Sequence, residues 1–267
     1  MLDFSANLSL LFVEEELKHR FKAAKQQGFD AIEIQFPYVL QPETLRNLLV
    51  ENDLKLVLFN VDADDLMHGG EGLASVPEKR QRFRLAVAQA LTYAEDANPE
   101  AINVLSGCCL NKQRLPEYLA TFKENLHYAA DTFAKLGIKV VFEMINTDDM
   151  PGFIVHNSQM MLNILDELKH PNLYMQCDIY HFDKMAEDSG AFINQFAEKI
   201  GHIQFADNPG RGQPGTGRID FNQLFSIIDK SAYQGWLGAE YKPVGTTLES
   251  LAWLREHKET KFLSATK

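Results

Sequence analysis

Oxygen donors recur at the ends of four successive strand-like runs. Glu143 closes Lys139–Glu143, Asp178 closes Leu173–Asp178, Gln204 lies in His202–Phe205, and Glu240 closes Trp236–Glu240. Any one such residue is ordinarily a solvated loop side chain or a helix cap. Together, three carboxylates converging on one mouth repel one another and hold their protons more tightly unless a cation neutralises them. Ligation by Glu143, Asp178, Gln204 and Glu240 alone suits a hard divalent metal, Mg²⁺ or Mn²⁺, better than zinc, which prefers imidazole and thiolate.

Further polar residues fall where a substrate would be held. His181 follows Asp178 in Asp-Ile-Tyr-His and reads either as a loop histidine satisfied by backbone or as a substrate contact. The eight histidines otherwise form no cluster in the sequence. Asn7, Asn60 and Asn103 sit at or beyond strand ends, where amides can bind substrate hydroxyls or a carboxylate, whereas Asn146 reads as a turn former. The Gly- and Pro-rich stretch Ala206–Asp220 carries Arg211, whose guanidinium could fork a substrate carboxylate while loop amides approach an anion; Lys242 is a second candidate anion contact. The same stretch also reads as an exposed Ω-loop. No GxxxxGK[ST] follows a strand and no GxGxxG follows the first, so neither ATP nor NAD is indicated.

Positioning these residues requires a parallel sheet. Short apolar runs at Phe4–Asn7, Ala31–Ile34, Lys55–Phe59, Ala101–Leu105, Lys139–Glu143, Leu173–Asp178, His202–Phe205 and Trp236–Glu240 alternate with amphipathic stretches. The predicted helices are Glu14–Gln27, Pro42–Glu51, Glu78–Ala97, Pro116–Lys135, Ser158–Leu168, Ala191–Ala197, Phe221–Lys230 and Thr246–His257. Pro42 and Pro116 suit first turns, Gly28 and Gly137 suit left-handed caps, and Ser158 is the expected N-cap of its helix. Eight βα units predict an α/β fold, a single (β/α)₈ TIM barrel over residues 1–267 with no linker. The long connections Val61–Pro77, Ile145–Asn157 and Ala206–Asp220 follow strands and therefore lie on the catalytic face, with Met150-Pro-Gly-Phe as an apolar lid tip.

A net charge of −11 argues against duplex nucleic acid or an anionic membrane as partner and for a small molecule. No basic, apolar leader or spanning segment is read, so a cytoplasmic protein is expected. Cys108, Cys109 and Cys177 form neither a disulfide framework nor a CxxC knuckle and read as reduced thiols. Self-association through helical faces is expected of such a barrel.

The strings Phe4-Ser-Ala-Asn-Leu-Ser, Ile34-Gln-Phe-Pro-Tyr, Gln176-Cys-Asp-Ile-Tyr-His, Gly201-His-Ile-Gln-Phe-Ala-Asp-Asn-Pro-Gly-Arg, Pro214-Gly-Thr-Gly and Gly238-Ala-Glu-Tyr-Lys-Pro resemble the hydroxypyruvate isomerase family, among the xylose-isomerase-like barrels. The likeness spans essentially the whole chain. It implies an aldose–ketose isomerase interconverting hydroxypyruvate and tartronate semialdehyde. Glu143 and Glu240 would be its acid/base pair, and Glu143, Asp178, Gln204 and Glu240 the metal pattern. His181 matches a substrate histidine and Arg211 a substrate arginine. Gln204 stands where the related epimerases have histidine. Phe59-Asn60 matches the related 2-oxo-tetronate isomerases, where hydroxypyruvate isomerases have His-Asn. The rival readings are therefore a 2-oxo-tetronate isomerase, a ketose 3-epimerase, or a barrel that binds a sugar acid without turning it over. A multi-His zinc endonuclease fits less well.

Overall fold

The structure, a computed structural model, describes residues 2–257. The single domain expected over 1–267 includes residue 1 and residues 258–267, which lie outside the described residues. Eight strands close in chain order into one parallel barrel: β1 (Asp3–Asn7), β2 (Ala31–Ile34), β3 (Lys55–Asn60), β4 (Ala101–Asn103), β5 (Lys139–Glu143), β6 (Leu173–Asp178), β7 (Ile200–Phe205) and β8 (Trp236–Ala239). The seam pairs Phe4 with Leu237 and Ala6 with Ala239. Around it run α1 (Leu17–Gln26), α2 (Pro42–Glu51), α3 (Arg80–Ala97), α4 (Leu115–Ala134), α5 (Ser158–Leu168), α6 (Ile179–Lys184), α7 (Ser189–Phe196), α8 (Phe221–Lys230) and α9 (Thr247–Ser250).

Alternation along each strand divides the side chains between two environments. Phe205 of β7 points outward into edge-on contact with Phe225 and Trp253, with ring centroids at 5.4 and 5.2 Å, and Phe4 of β1 joins the same cluster. This aromatic wedge holds the barrel seam against α8. The inward set is apolar at the bottom, where Ala31, Leu58, Ala101 and Val141 share one cluster, and becomes polar toward the C-terminal ends. Gly238 matters here. A Cβ at this position would collide with the buried Glu33 carboxylate, so β8 is without a side chain where β2 carries a glutamate. Gly238→Ala is expected to lower stability by about 1–3 kcal/mol through overpacking. The urea midpoint checks this, and an unchanged midpoint would contradict it.

Several expected boundaries move. The helix expected from Glu14 begins at Leu17, and the one expected over Thr246–His257 breaks at Leu251 between α9 and a second helical stretch, 252–257. The N-cap of α5 is Asn157, whose side chain accepts the Met160 N–H at 2.9 Å, rather than Ser158, which is the first helical residue. Helix α6 is additional to the expected series. Its N-cap is Asp178, whose Oδ1 accepts the Tyr180 N–H at 2.9 Å, so one carboxylate both ends β6 and starts a helix. Gly28 and Gly137 take the left-handed conformation expected past helix ends, with φ of 85° and 70°.

Candidate active site

Glu143, Asp178 and Glu240 meet at the C-terminal mouth, and all three are buried. Glu143 and Glu240 line a cavity of about 80 Å³ together with Gln35, Asn60, Gln176, His181, Gln204 and Arg211, and Asp178 lies behind this lining in contact with His181 and Arg211. The volume is comparable to that of about three water molecules at roughly 30 Å³ each. A larger depression on the outer surface also carries carboxylates, Asp30, Asp53, Asp96 and Glu100, but Lys25 pairs with Asp30 and Asp53 there in the open.

Each acid is held differently. Glu240 Oε1 accepts from Gln35 Nε2 at 2.8 Å and Asn7 Nδ2 at 3.0 Å, and its Oε2 pairs with Arg211 Nη2 at 2.6 Å. Burial nevertheless raises its pKa to about 7, against the lowering by Arg211 and with the help of nearby Asp178 and Glu33. Glu143 receives one amide, Asn103 Nδ2 at 2.7 Å. Burial first, then the charges of Glu240 and Asp178, push its carboxyl well above the ordinary range. The two acids are therefore poised differently, Glu240 by three donors and Glu143 by one.

Arg211 is the internal counter-charge. Its Nη2 lies 3.3 Å from Asp178 Oδ2 and its guanidinium stacks 5.0 Å over the Tyr180 ring. The backbone at Arg211 has φ of 56°, and its carbonyl accepts the Lys242 N–H at 2.7 Å, which pins the turn. The Nε–H of Arg211 is buried and has no partner among the described residues. Loop amides expected to approach an anion are instead consumed by buried Asp207, which accepts from the N–H groups of Asn208, Gly215, Gly217 and Ile219.

His181 is buried, and its Nδ1 faces Asn146 Nδ2 at 2.7 Å. An amide donor there leaves the ring proton on Nε2, which points at Asp178 Oδ2, 3.3 Å away. Asn146 also caps its own turn by accepting from Asp148 and Asp149, so it is both the turn former expected and the residue that sets the tautomer. Burial lowers the His181 pKa to about 4. The unfolded chain takes up this proton near 6.5 and the folded one does not, so this contribution to stability falls as pH drops from 6.5 towards 4. NMR should show a neutral His181 ring down to about pH 4; a midpoint near 6.5 would contradict this.

Of the expected site residues, Glu143, Asp178, Gln204, Glu240, His181, Arg211 and Asn60 come together at the cavity, with Asn7 and Asn103 immediately behind its glutamates. The Lys242 side chain is exposed and contributes only its backbone N–H. The lid tip is docked rather than exposed at Phe153, which is buried against Cys108. The histidines do form one further group, in which His127 and His170 flank Asp131 on the surface. His170 Nδ1 accepts from Asn172 N–H, so its Nε2 carries a proton towards Asp131. Phe59 points away from the cavity, into contact with Tyr38 and Tyr93, so the His/Phe difference at this position does not touch the site. Four residues at the site were not anticipated: Glu33, Gln35, Gln176 and His202. Strand period was their signal, since Gln176 and His202 lie two residues before Asp178 and Gln204.

Glu143, Asp178 and His181 could together hold a metal ion by their spacing. Three buried carboxylates against one guanidinium also leave an uncompensated negative charge of the kind a hard cation satisfies. The Gln204 carbonyl already accepts from Gln176 Nε2 at 2.6 Å, which leaves it one lone pair for an ion.

The family model for xylose isomerase-like TIM barrels matches residues 21–257. The chain is 41% identical over 258 residues to the hydroxypyruvate isomerase of Escherichia coli (strain K12), a match covering 97% of this chain and 100% of that protein. It is 34% identical over 261 residues to the 2-oxo-tetronate isomerase of Pectobacterium atrosepticum, covering 98% and 100% respectively. Among solved structures it is similar to a Brucella melitensis protein described as an AP endonuclease, family 2, with a TM-score of 0.92 and 34% identity over 96% of this chain and 99% of that one.

Proposed function

Because the chain belongs to the xylose isomerase-like TIM barrel family, we propose that it interconverts hydroxypyruvate and 2-hydroxy-3-oxopropanoate (tartronate semialdehyde) through an enediolate. The chain is an isomerase. The observation that carries the finer reading is the pair of differently poised glutamates, Glu143 and Glu240, lining one small cavity beside an unpartnered guanidinium N–H.

In this reading Glu240, the carboxylate with three donors, removes a proton from the hydroxylated carbon next to the carbonyl. The C–H electron pair becomes the C=C bond of the enediolate, and the carbonyl oxygen takes the charge. Glu143, which keeps its proton, delivers one to the neighbouring carbon, and the hydroxyl proton passes to the other oxygen. Neutral His181 offers Nε2–H to the developing oxyanion. Arg211 binds the substrate carboxylate through its free Nε–H, while Nη2 stays on Glu240 and Asp178. Asn7 and Asn103 orient the two glutamates, and Asn60 lines the same cavity. Asp178 and the Gln204 carbonyl, joined by Glu143 and Glu240 when these are ionised, would hold Mg²⁺ or Mn²⁺, which when bound would polarise the substrate carbonyl.

A four-carbon 2-oxo acid is the second reading, favoured by similarity to the 2-oxo-tetronate isomerases. Free ketoses fit a cavity of about 80 Å³ less well. A binder without turnover has no use for the opposed glutamates, and duplex nucleic acid meets a net charge of −11 and carboxylate walls. Among the described residues no helix is long and apolar enough to cross a membrane. A cytoplasmic setting, one domain over 1–267 and self-association belong to this proposal and are tested by fractionation, limited proteolysis and light scattering. The substrate is tested by comparing kcat/KM for hydroxypyruvate and 2-oxo-tetronate, with EDTA and with added Mg²⁺ or Mn²⁺. Hydroxypyruvate is expected to lead; a preference for the four-carbon acid would install the second reading.

A further inference from the structure

Glu33, His202 and Gln176, which the proposed chemistry leaves unused, belong to a chain of buried polar side chains next to the glutamates. Glu33 of β2 is fully buried. Its Oε2 accepts from His202 Nε2 at 2.7 Å, and its Oε1 accepts from Gln204 Nε2 at 2.6 Å and Asn7 Nδ2 at 2.9 Å. Gln204 thus turns its NH₂ towards Glu33 and its carbonyl away. That carbonyl faces Gln176, which must in turn donate its Nε2–H, at 2.6 Å. The polarity set at Glu33 therefore runs through two amides and ends on the carbonyl oxygen of Gln176. This Oε1 is buried, has no hydrogen-bond partner among the described residues, and belongs to a residue lining the same cavity as Glu143 and Glu240. An orphaned buried acceptor is destabilising, and a ligand donor would remove that cost.

We propose that Gln176 is the specificity residue that accepts a hydrogen bond from a substrate hydroxyl, and that Glu33 is the positioning residue that fixes the direction of its amide through Gln204. The proposal rests on the small-acid reading of the site. Arg211 Nε–H and His181 Nε2–H are donors and suit carboxylate and carbonyl oxygens; Gln176 Oε1 is the complementary acceptor, which a hydroxyl satisfies and a methyl group does not. The site would thus select hydroxylated three-carbon acids against their deoxy analogues.

The test uses two unreactive ligands that differ by one hydroxyl, D-glycerate and D-lactate, titrated calorimetrically into wild type, Gln176→Met and Glu33→Gln. EDTA is present throughout, so that no divalent ion mediates binding. Wild type is expected to bind glycerate at least about tenfold more tightly than lactate. Gln176→Met, close in volume, should weaken glycerate about tenfold and leave lactate within about twofold. Glu33→Gln removes the constraint on Gln204, lets Gln176 present its NH₂, and should erase the glycerate preference in the same way. If Gln176→Met does not fold, Glu33→Gln alone decides. No glycerate preference in wild type, or equal weakening of both ligands in the variants, overturns the proposal. Because binding is read without turnover, failure of hydroxypyruvate as substrate would leave a Gln176-dependent glycerate preference intact, and the two readings fail separately.

Discussion

Glu240→Gln lowers kcat for hydroxypyruvate by on the order of 10³-fold and leaves substrate affinity within a few fold; Glu143→Gln does the same. Both substitutions keep the side-chain volume and the hydrogen-bond reach, so Asn7, Gln35 and Asn103 retain a partner at each site. What is lost is the ability to take or give a proton at carbon. Because one glutamate abstracts and the other delivers, either loss stops the cycle, and the double variant should be little slower than each single one. Steady-state kinetics with glycerate binding as a control checks this. A residual rate within tenfold of wild type for either variant would remove that glutamate from the chemistry.

Arg211→Met should have the second largest effect, and it should depend on pH. Arg211 is half-buried and is the cation paired with both buried Asp178 and buried Glu240; deleting it strands their charges. Breaking a buried pair in this way costs about 3–5 kcal/mol. The Glu240 pKa, already at about 7 with Arg211 in place, rises further without it. A carboxyl whose folded pKa is raised stabilises the fold at low pH and loses that contribution as pH rises through the folded value. The variant should therefore be destabilised more at pH 8 than at pH 5, where a proton on Glu240 replaces one of the two pairings of the guanidinium. KM for the carboxylate substrate should rise about 100-fold. Urea unfolding at the two pH values reads the first effect, and a penalty independent of pH would show that Glu240 is not the group Arg211 compensates.

Much of this was legible before the structure. Strands β2, β5 and β6 and helices α2, α5 and α8 begin and end where the apolar runs and their flanking signals indicate. The reason is physical: Pro42 opens α2, Asp220 caps α8, and the buried runs of the strands leave no alternative register. Helix α6 escaped because Ile179–Lys184 is too short to show a period, and its cap, Asp178, was read only as a strand end. The ring of Glu143, Asp178, Gln204 and Glu240 was visible because each closes or nearly closes a strand. Glu33, Gln176 and His202 were hidden one layer deeper. Their significance depends on partners more than 25 positions away, as in the contact of Glu33 with Gln204, which no local pattern encodes. Lys242 shows the converse: its charge suggested an anion contact, while the fold uses only its backbone to hold Arg211.

Proton NMR of hydroxypyruvate incubated with the wild-type protein in D₂O tests the central claim most directly. Glutamate-mediated proton transfer through an enediolate predicts the aldehyde signal of 2-hydroxy-3-oxopropanoate together with deuterium entering at the reacting carbons, both lost in Glu240→Gln. Hydroxypyruvate recovered unchanged and unlabelled, with and without Mg²⁺ or Mn²⁺, would contradict it.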